Sequence, residues 1–109
     1  MNPEIRYRIL RTIEEEPQIT QRELALRLGV SVGKVNYCLR ALMKKGFVKA
    51  RNFKNSSRKR QYMYNLTPQG VAERTRVTIA FLRLKSAEFD QIRLEIDRLE
   101  AQLTGEVDA

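Results

Sequence analysis

Eight basic residues, Lys44, Lys45, Lys49, Arg51, Lys54, Arg58, Lys59 and Arg60, stand between positions 44 and 60 with no carboxylate among them. A run of this kind suits a polyanionic partner, whose condensed counterions are released as its phosphates are neutralised. Immediately upstream, Ser31, Gly33, Lys34, Asn36, Tyr37 and Arg40 form the outward face of a short helical pattern. Arg40 or Lys34 can donate to O6 and N7 of guanine, and Asn36 can donate to N7 and accept from N6 of adenine. Gly33 permits close approach, while Ser31 suits a helix cap as well as it suits a reader. This chemistry is recognition, not bond making. The chain has no histidine and a single cysteine, Cys38. Ser-His and Cys-His nucleophiles and the usual zinc sites therefore cannot be assembled, and no enzyme, cofactor or metal is expected. Cys38 lies beside an apolar stripe and reads as a small buried hydrophobe, not as a redox switch.

The elements that must position these residues follow from periodicity. Pro3 suits the first turn of a helix in which Ile5, Ile9, Leu10 and Ile13 recur at helical spacing until Glu14–Pro17. Thr20-Gln21-Arg22-Glu23 has the form of a capping box and opens a second helix, with Leu24, Ala25 and Leu28 inward and Gly29 at its end. Ser31 then caps a third helix whose stripe is Val32, Val35, Leu39 and Leu42. Leu28-Gly29-Val30-Ser31 thus joins two helices in a helix-turn-helix. Gly46 ends the third helix. Phe47–Arg51 alternates as a half-buried strand, and Gln61–Leu66 pairs with it, with Tyr62, Tyr64 and Leu66 on the inner face. The intervening Lys54–Lys59 is polar and turn-forming, which makes a hairpin with a basic tip. Thr67-Pro68 opens a last helix that reaches about Leu103, before Thr104-Gly105.

The expected fold class is therefore mainly α with a small β-hairpin: a winged helix-turn-helix followed by a long C-terminal helix. Its parts are a DNA-binding domain at 1–67, a dimerisation helix at 68–103 and a flexible tail at 104–109. Charge divides in the same place. Residues 1–67 hold fifteen Lys/Arg against five Asp/Glu and the remainder six against eight, so the net +8 splits into +10 and −2. No apolar run exceeds the four residues Ile79–Leu82, which excludes a membrane-spanning helix or a secretory signal core and leads to a cytoplasmic expectation.

Within the last helix, Leu82, Phe89, Ile92, Ile96, Leu99 and Leu103 keep the three-four rhythm of a coiled-coil seam, with charged residues between them. Val77, Ile79, Ala80, Phe81 and Leu84 lie on other faces, as expected of a segment that packs on a winged domain. A long helix ending in an apolar seam is poorly stable alone, so a homodimer is expected.

Gln21–Ala25, Leu28–Ser31, Leu42–Val48 and Leu66–Gly70 resemble the corresponding motifs of MarR-like transcriptional regulators. Met1–Arg8, Gly33–Leu39 and Asn52–Ser56 look more narrowly like a small subfamily associated with exopolysaccharide gene clusters. The resemblance implies a sequence-specific regulator of double-stranded DNA, a repressor of exopolysaccharide biosynthesis genes. It also implies a wing formed by Arg51, Lys54, Asn55, Ser57, Arg58, Lys59 and Arg60. MarR-like regulators hold effectors in a crevice between domain and dimer helices, with helices on both sides of the domain. This sequence opens directly on the first winged-helix helix, so no effector is assigned. The alternatives are a winged-helix module that binds protein, which the basic wing disfavours, and an RNA-binding protein. The latter needs exposed aromatic platforms, for which Tyr37 and Phe53 are the candidates.

Overall fold

Each of the first three helices begins on a side-chain cap. Asn2 accepts from the Ile5 amide at 2.8 Å, Thr20 from Glu23 at 3.1 Å and Ser31 from Lys34 at 3.1 Å, each satisfying a free N-terminal donor. The computed structural model describes residues 2–54 and 60–108, with side chains for 2–52 and 62–105. The elements run α1 (Pro3–Glu15), α2 (Gln21–Leu28), α3 (Val32–Lys44), β1 (Val48–Lys54), β2 (Arg60–Leu66) and α4 (Pro68–Asp108). α2 closes at Gly29 and α3 at Gly46, both left-handed with φ of 69° and 80°. After α3 the amides of Gly46 and Phe47 bond back to the carbonyls of Met43 and Leu42 at 3.0 and 2.9 Å. That pattern stops the helix and turns the chain into β1.

The core joins the predicted stripes of the three helices. Ile9, Leu10 and Ile13 of α1 meet Leu24 and Ala25 of α2, and Val35, Cys38, Leu39 and Leu42 of α3, with Val48, Tyr64 and Val77 closing the sides. Cys38 is buried, as its neighbours in the stripe required. The hairpin is antiparallel, with Val48 opposite Leu66, Ala50 opposite Tyr64 and Asn52 opposite Tyr62. β2 is also fixed from behind, because the Tyr64 amide donates to the Pro17 carbonyl at 2.8 Å.

Four expectations are corrected. Val32 does not face inward but is 46% exposed: it lies in the first turn of α3, ahead of the part that α2 covers. Tyr62 is 53% exposed where Tyr64 is 3%. The hairpin outruns the helical core after the Ala50–Tyr64 pair, so Tyr62 stacks on the Tyr64 ring, with centroids 6.2 Å apart, at the edge of the core. The strands are longer than their alternation predicted, since Lys54 pairs with Arg60 at the distal end. The last helix likewise passes its expected end at Leu103 and continues to Asp108. Thr104 donates its hydroxyl to the Glu100 carbonyl at 3.0 Å, and a glycine inside a helix costs only about 1 kcal/mol, too little to end one unaided.

The first turns of α4 are locked to the domain. Thr67 donates its hydroxyl to the Gly46 carbonyl at 2.5 Å and accepts from the Gly70 amide at 3.0 Å, while its own amide donates to the Phe47 carbonyl at 3.0 Å. Gly70 is required there, because a Cβ would stand 1.9 Å from the Phe47 carbonyl oxygen. Glu73, buried beneath α1, accepts from Arg6 at 2.7 Å and from Arg76 at 2.6 Å. Arg74 pairs with Glu14 nearby. Tyr7 stacks on Phe81 with centroids 5.4 Å apart. Elsewhere Arg27 pairs with Glu16 and, through that hydrogen bond, holds the Glu16 carboxyl below its ordinary pKa. Beyond Phe81, every described residue of α4 is exposed, so the helix projects as a free arm and the molecule measures 74 × 28 × 21 Å.

Candidate nucleic-acid interface

α3 presents two unlike faces because its apolar positions follow the three-four rhythm. Val35, Cys38, Leu39 and Leu42 are buried. The opposite face exposes Ser31, Gly33, Lys34, Tyr37 and Arg40, with Asn36 half-buried at its edge. Tyr37 stands 73% exposed on this face. The structure thus brings all six sequence-selected α3 residues to one surface. Gly33 has no heavy atom nearer its Cβ position than the Ser31 hydroxyl at 3.9 Å, which leaves that side of the first turn open to a close approach.

Two of the six have additional duties. The Ser31 hydroxyl is committed to the Lys34 amide as the helix cap, so capping is its structural function. Asn36 donates from Nδ2 to Gln21 Oε1 at 3.2 Å, and Gln21 donates from Nε2 to the Tyr64 hydroxyl at 3.2 Å. This chain of three side chains links the exposed face of α3, the start of α2 and the wing strand β2. Neither Gln21 nor Tyr62 was selected from the sequence, yet both line the cleft of about 290 Å³ between α3 and the hairpin, together with Asn36, Arg40 and Met43. No local signal marks Gln21, whose partners lie 15 and 43 residues away in sequence.

The basic run begins beside this face. Lys44, Lys45, Lys49 and Arg51 are exposed, so positive charge continues from the end of α3 onto β1. Lys54 and Arg60 are described only as the last backbone pair of the hairpin. Asn55, Ser57, Arg58 and Lys59 lie outside the described residues. Among the described residues no group of His, Cys, Asp and Glu could hold a metal ion, and no helix is long and apolar enough to cross a membrane.

On α4, Leu82, Phe89, Ile92, Ile96, Leu99 and Leu103 are between 47% and 62% exposed. They share one side of the free arm.

Three consecutive helices, a turn closed by a left-handed glycine and an antiparallel hairpin against the third helix define a winged helix-turn-helix. Residues 3–49 match the family described as winged helix-turn-helix DNA-binding. Among solved structures, a PadR-like transcriptional regulator from Bacillus cereus superposes with a TM-score of 0.69 at 17% identity, over 80% of this chain and 89% of that one. The transcriptional regulator BldR from Sulfolobus solfataricus gives 0.63 at 23% identity, over 77% of this chain and 58% of that one. MarR from E. coli gives 0.55 at 28% identity, over 66% of this chain and 52% of that one. This chain therefore spans little more than half of the latter two. No curated protein matches the sequence. The chain carries a winged helix-turn-helix DNA-binding domain and shares its fold with transcriptional regulators of the MarR and PadR types.

Proposed function

We infer that this chain is a sequence-specific regulator of transcription that binds double-stranded DNA as a homodimer. The observation that carries the reading is the exposed polar face of α3, with Lys34, Asn36, Tyr37 and Arg40 on a capped helix beside the basic β1 strand. The mechanism is occupancy. Each α3 lies in a major groove with its N-terminal half at base edges, and two half-sites stand about 34 Å apart, one helical turn. The wing residues Arg51, Lys54, Asn55, Ser57, Arg58, Lys59 and Arg60 brace the neighbouring phosphates and set register without reading sequence. Dimerisation falls to the α4 seam, whose exposed leucines and isoleucines have no other partner among the described residues. Repression of exopolysaccharide biosynthesis genes in the cytoplasm is the finer reading, and it rests on the sequence resemblance alone.

The docking mode is tested by the salt dependence of binding to duplex DNA. Neutralising roughly six to eight phosphates per dimer predicts a slope of log affinity against log salt of about −5 to −7. A slope near −1 would remove the proposed wing and helix contacts.

A further inference from the structure

The hydrogen-bonded series Asn36–Gln21–Tyr64 ends on the one residue of the exposed α3 face whose chemistry depends on which way its amide points. An asparagine reads adenine only when Oδ1 faces N6 and an Nδ2 hydrogen faces N7 at the same time. A free amide can rotate and offer the reverse pattern, so the discrimination depends on what fixes the plane. Here one Nδ2 hydrogen of Asn36 is held by Gln21 Oε1 at 3.2 Å, and Gln21 is held in turn because its Nε2 donates to the Tyr64 hydroxyl at 3.2 Å. Tyr64 itself is 3% exposed and its amide is tied to the Pro17 carbonyl, so the series ends on a ring packed into the core. Among the described residues Oδ1 and the second Nδ2 hydrogen of Asn36 have no other partner, an acceptor and a donor of the kinds that adenine requires.

We propose that Gln21, anchored by the Tyr64 hydroxyl, is a specificity-determining residue that positions the Asn36 amide and so sets an adenine preference at one base pair of each half-site. Gln21 acts through Asn36 and touches no base. The proposal rests on the DNA-reading function inferred above.

The test is in vitro selection from random duplexes with the full-length protein, run in parallel for the wild type and for Asn36→Ala, Gln21→Met, Tyr64→Phe and Asn36→Ala/Gln21→Met. Gln21→Met retains length and volume, and Tyr64→Phe removes only an oxygen, so either variant reports if the other fails to fold. Asn36→Ala identifies the base pair that Asn36 reads. At that pair, the roughly tenfold or greater adenine preference expected of a bidentate contact falls below about threefold in Gln21→Met and in Tyr64→Phe. Preferences elsewhere in the half-site persist, and Gln21→Met changes nothing further in the Asn36→Ala background. Retention of the preference in both single variants overturns the proposal, as does an equal loss at every position. A wild-type protein that selects no sequence overturns the DNA-reading function itself, and the positioning function of Gln21 with it.

Discussion

Replacing Gly70 by alanine tests the junction on which the arm and the wing both depend. In an ordinary helix the change is favourable by about 1 kcal/mol, because alanine loses less backbone entropy than glycine. Here the added carbon would meet the Phe47 carbonyl oxygen at 1.9 Å and its carbonyl carbon at 2.9 Å. Both are backbone atoms that no rotamer change can move. Restoring an ordinary carbon-to-oxygen contact needs a displacement of about 1.5 Å between α4 and the α3–β1 turn. That displacement lengthens the bond from the Thr67 amide to the Phe47 carbonyl and the bond from the Thr67 hydroxyl to the Gly46 carbonyl, 3.0 and 2.5 Å in the native structure. Overpacking costs about 1–3 kcal/mol and each weakened hydrogen bond about 1 kcal/mol. After the helix-propensity gain, a net loss of about 2–4 kcal/mol remains. For a domain of this size that lowers Tm by about 10–20 °C, measured by circular dichroism at one fixed protein concentration so that self-association does not shift the comparison. Gly105→Ala is the control, since a Cβ there meets nothing within 4 Å and should not lower Tm. A Gly70→Ala protein as stable as the wild type would refute the close approach of α4 to Phe47.

Glu73→Ala leaves Arg6, whose side chain is only 17% exposed, without its partner under α4. Urea denaturation should show a loss of about 3 kcal/mol, in the range for breaking a buried pair, and a loss below about 1 kcal/mol would mean the pair is effectively solvated. Arg40→Ala should relax base preference at one position by roughly 1–3 kcal/mol, whereas Lys59→Ala should weaken matched and scrambled duplexes alike. Titrations in which both variants affect the two duplexes equally would discredit that division of labour. Ile96→Asp puts a carboxylate into the α4 seam, an expensive burial for a charge without a partner. Sedimentation should show dimer affinity weakened at least roughly 100-fold with the winged domain still folded, and an unchanged dimer would move the interface off this stripe.

The winged domain was legible because its signals are local. Thr20 and Ser31 sit where their hydroxyls must cap, Gly29 and Gly46 stand where the backbone turns left-handed, and the apolar steps of α1 and α3 become the core residues Ile9, Leu10, Ile13, Val35, Leu39 and Leu42. The misreadings arose where long-range packing decides. Alternation cannot show where the helices stop supporting a hairpin, so it points Tyr62 inward with Tyr64 and Leu66, although of the three Tyr62 alone is exposed. Periodicity cannot show how far one helix covers another, so Val32 was counted in the stripe. The Glu73 ion pairs and the Asn36–Gln21–Tyr64 series join residues far apart in sequence, and no spacing rule marks them. The six residues of the exposed α3 face share one surface because one helix and its cap carry them, but the commitment of the Ser31 hydroxyl and of half the Asn36 amide is a property of the fold.

The central claim is that the exposed face of α3 reads duplex sequence with two-fold symmetry. Selection of random duplex DNA by the purified full-length protein at about physiological salt, followed by sequencing of the bound pool, tests it directly. An enriched inverted repeat with half-site centres about 10 base pairs apart is predicted. Tight binding with no enrichment, or a preference for single-stranded or structured RNA over duplex DNA, would contradict it.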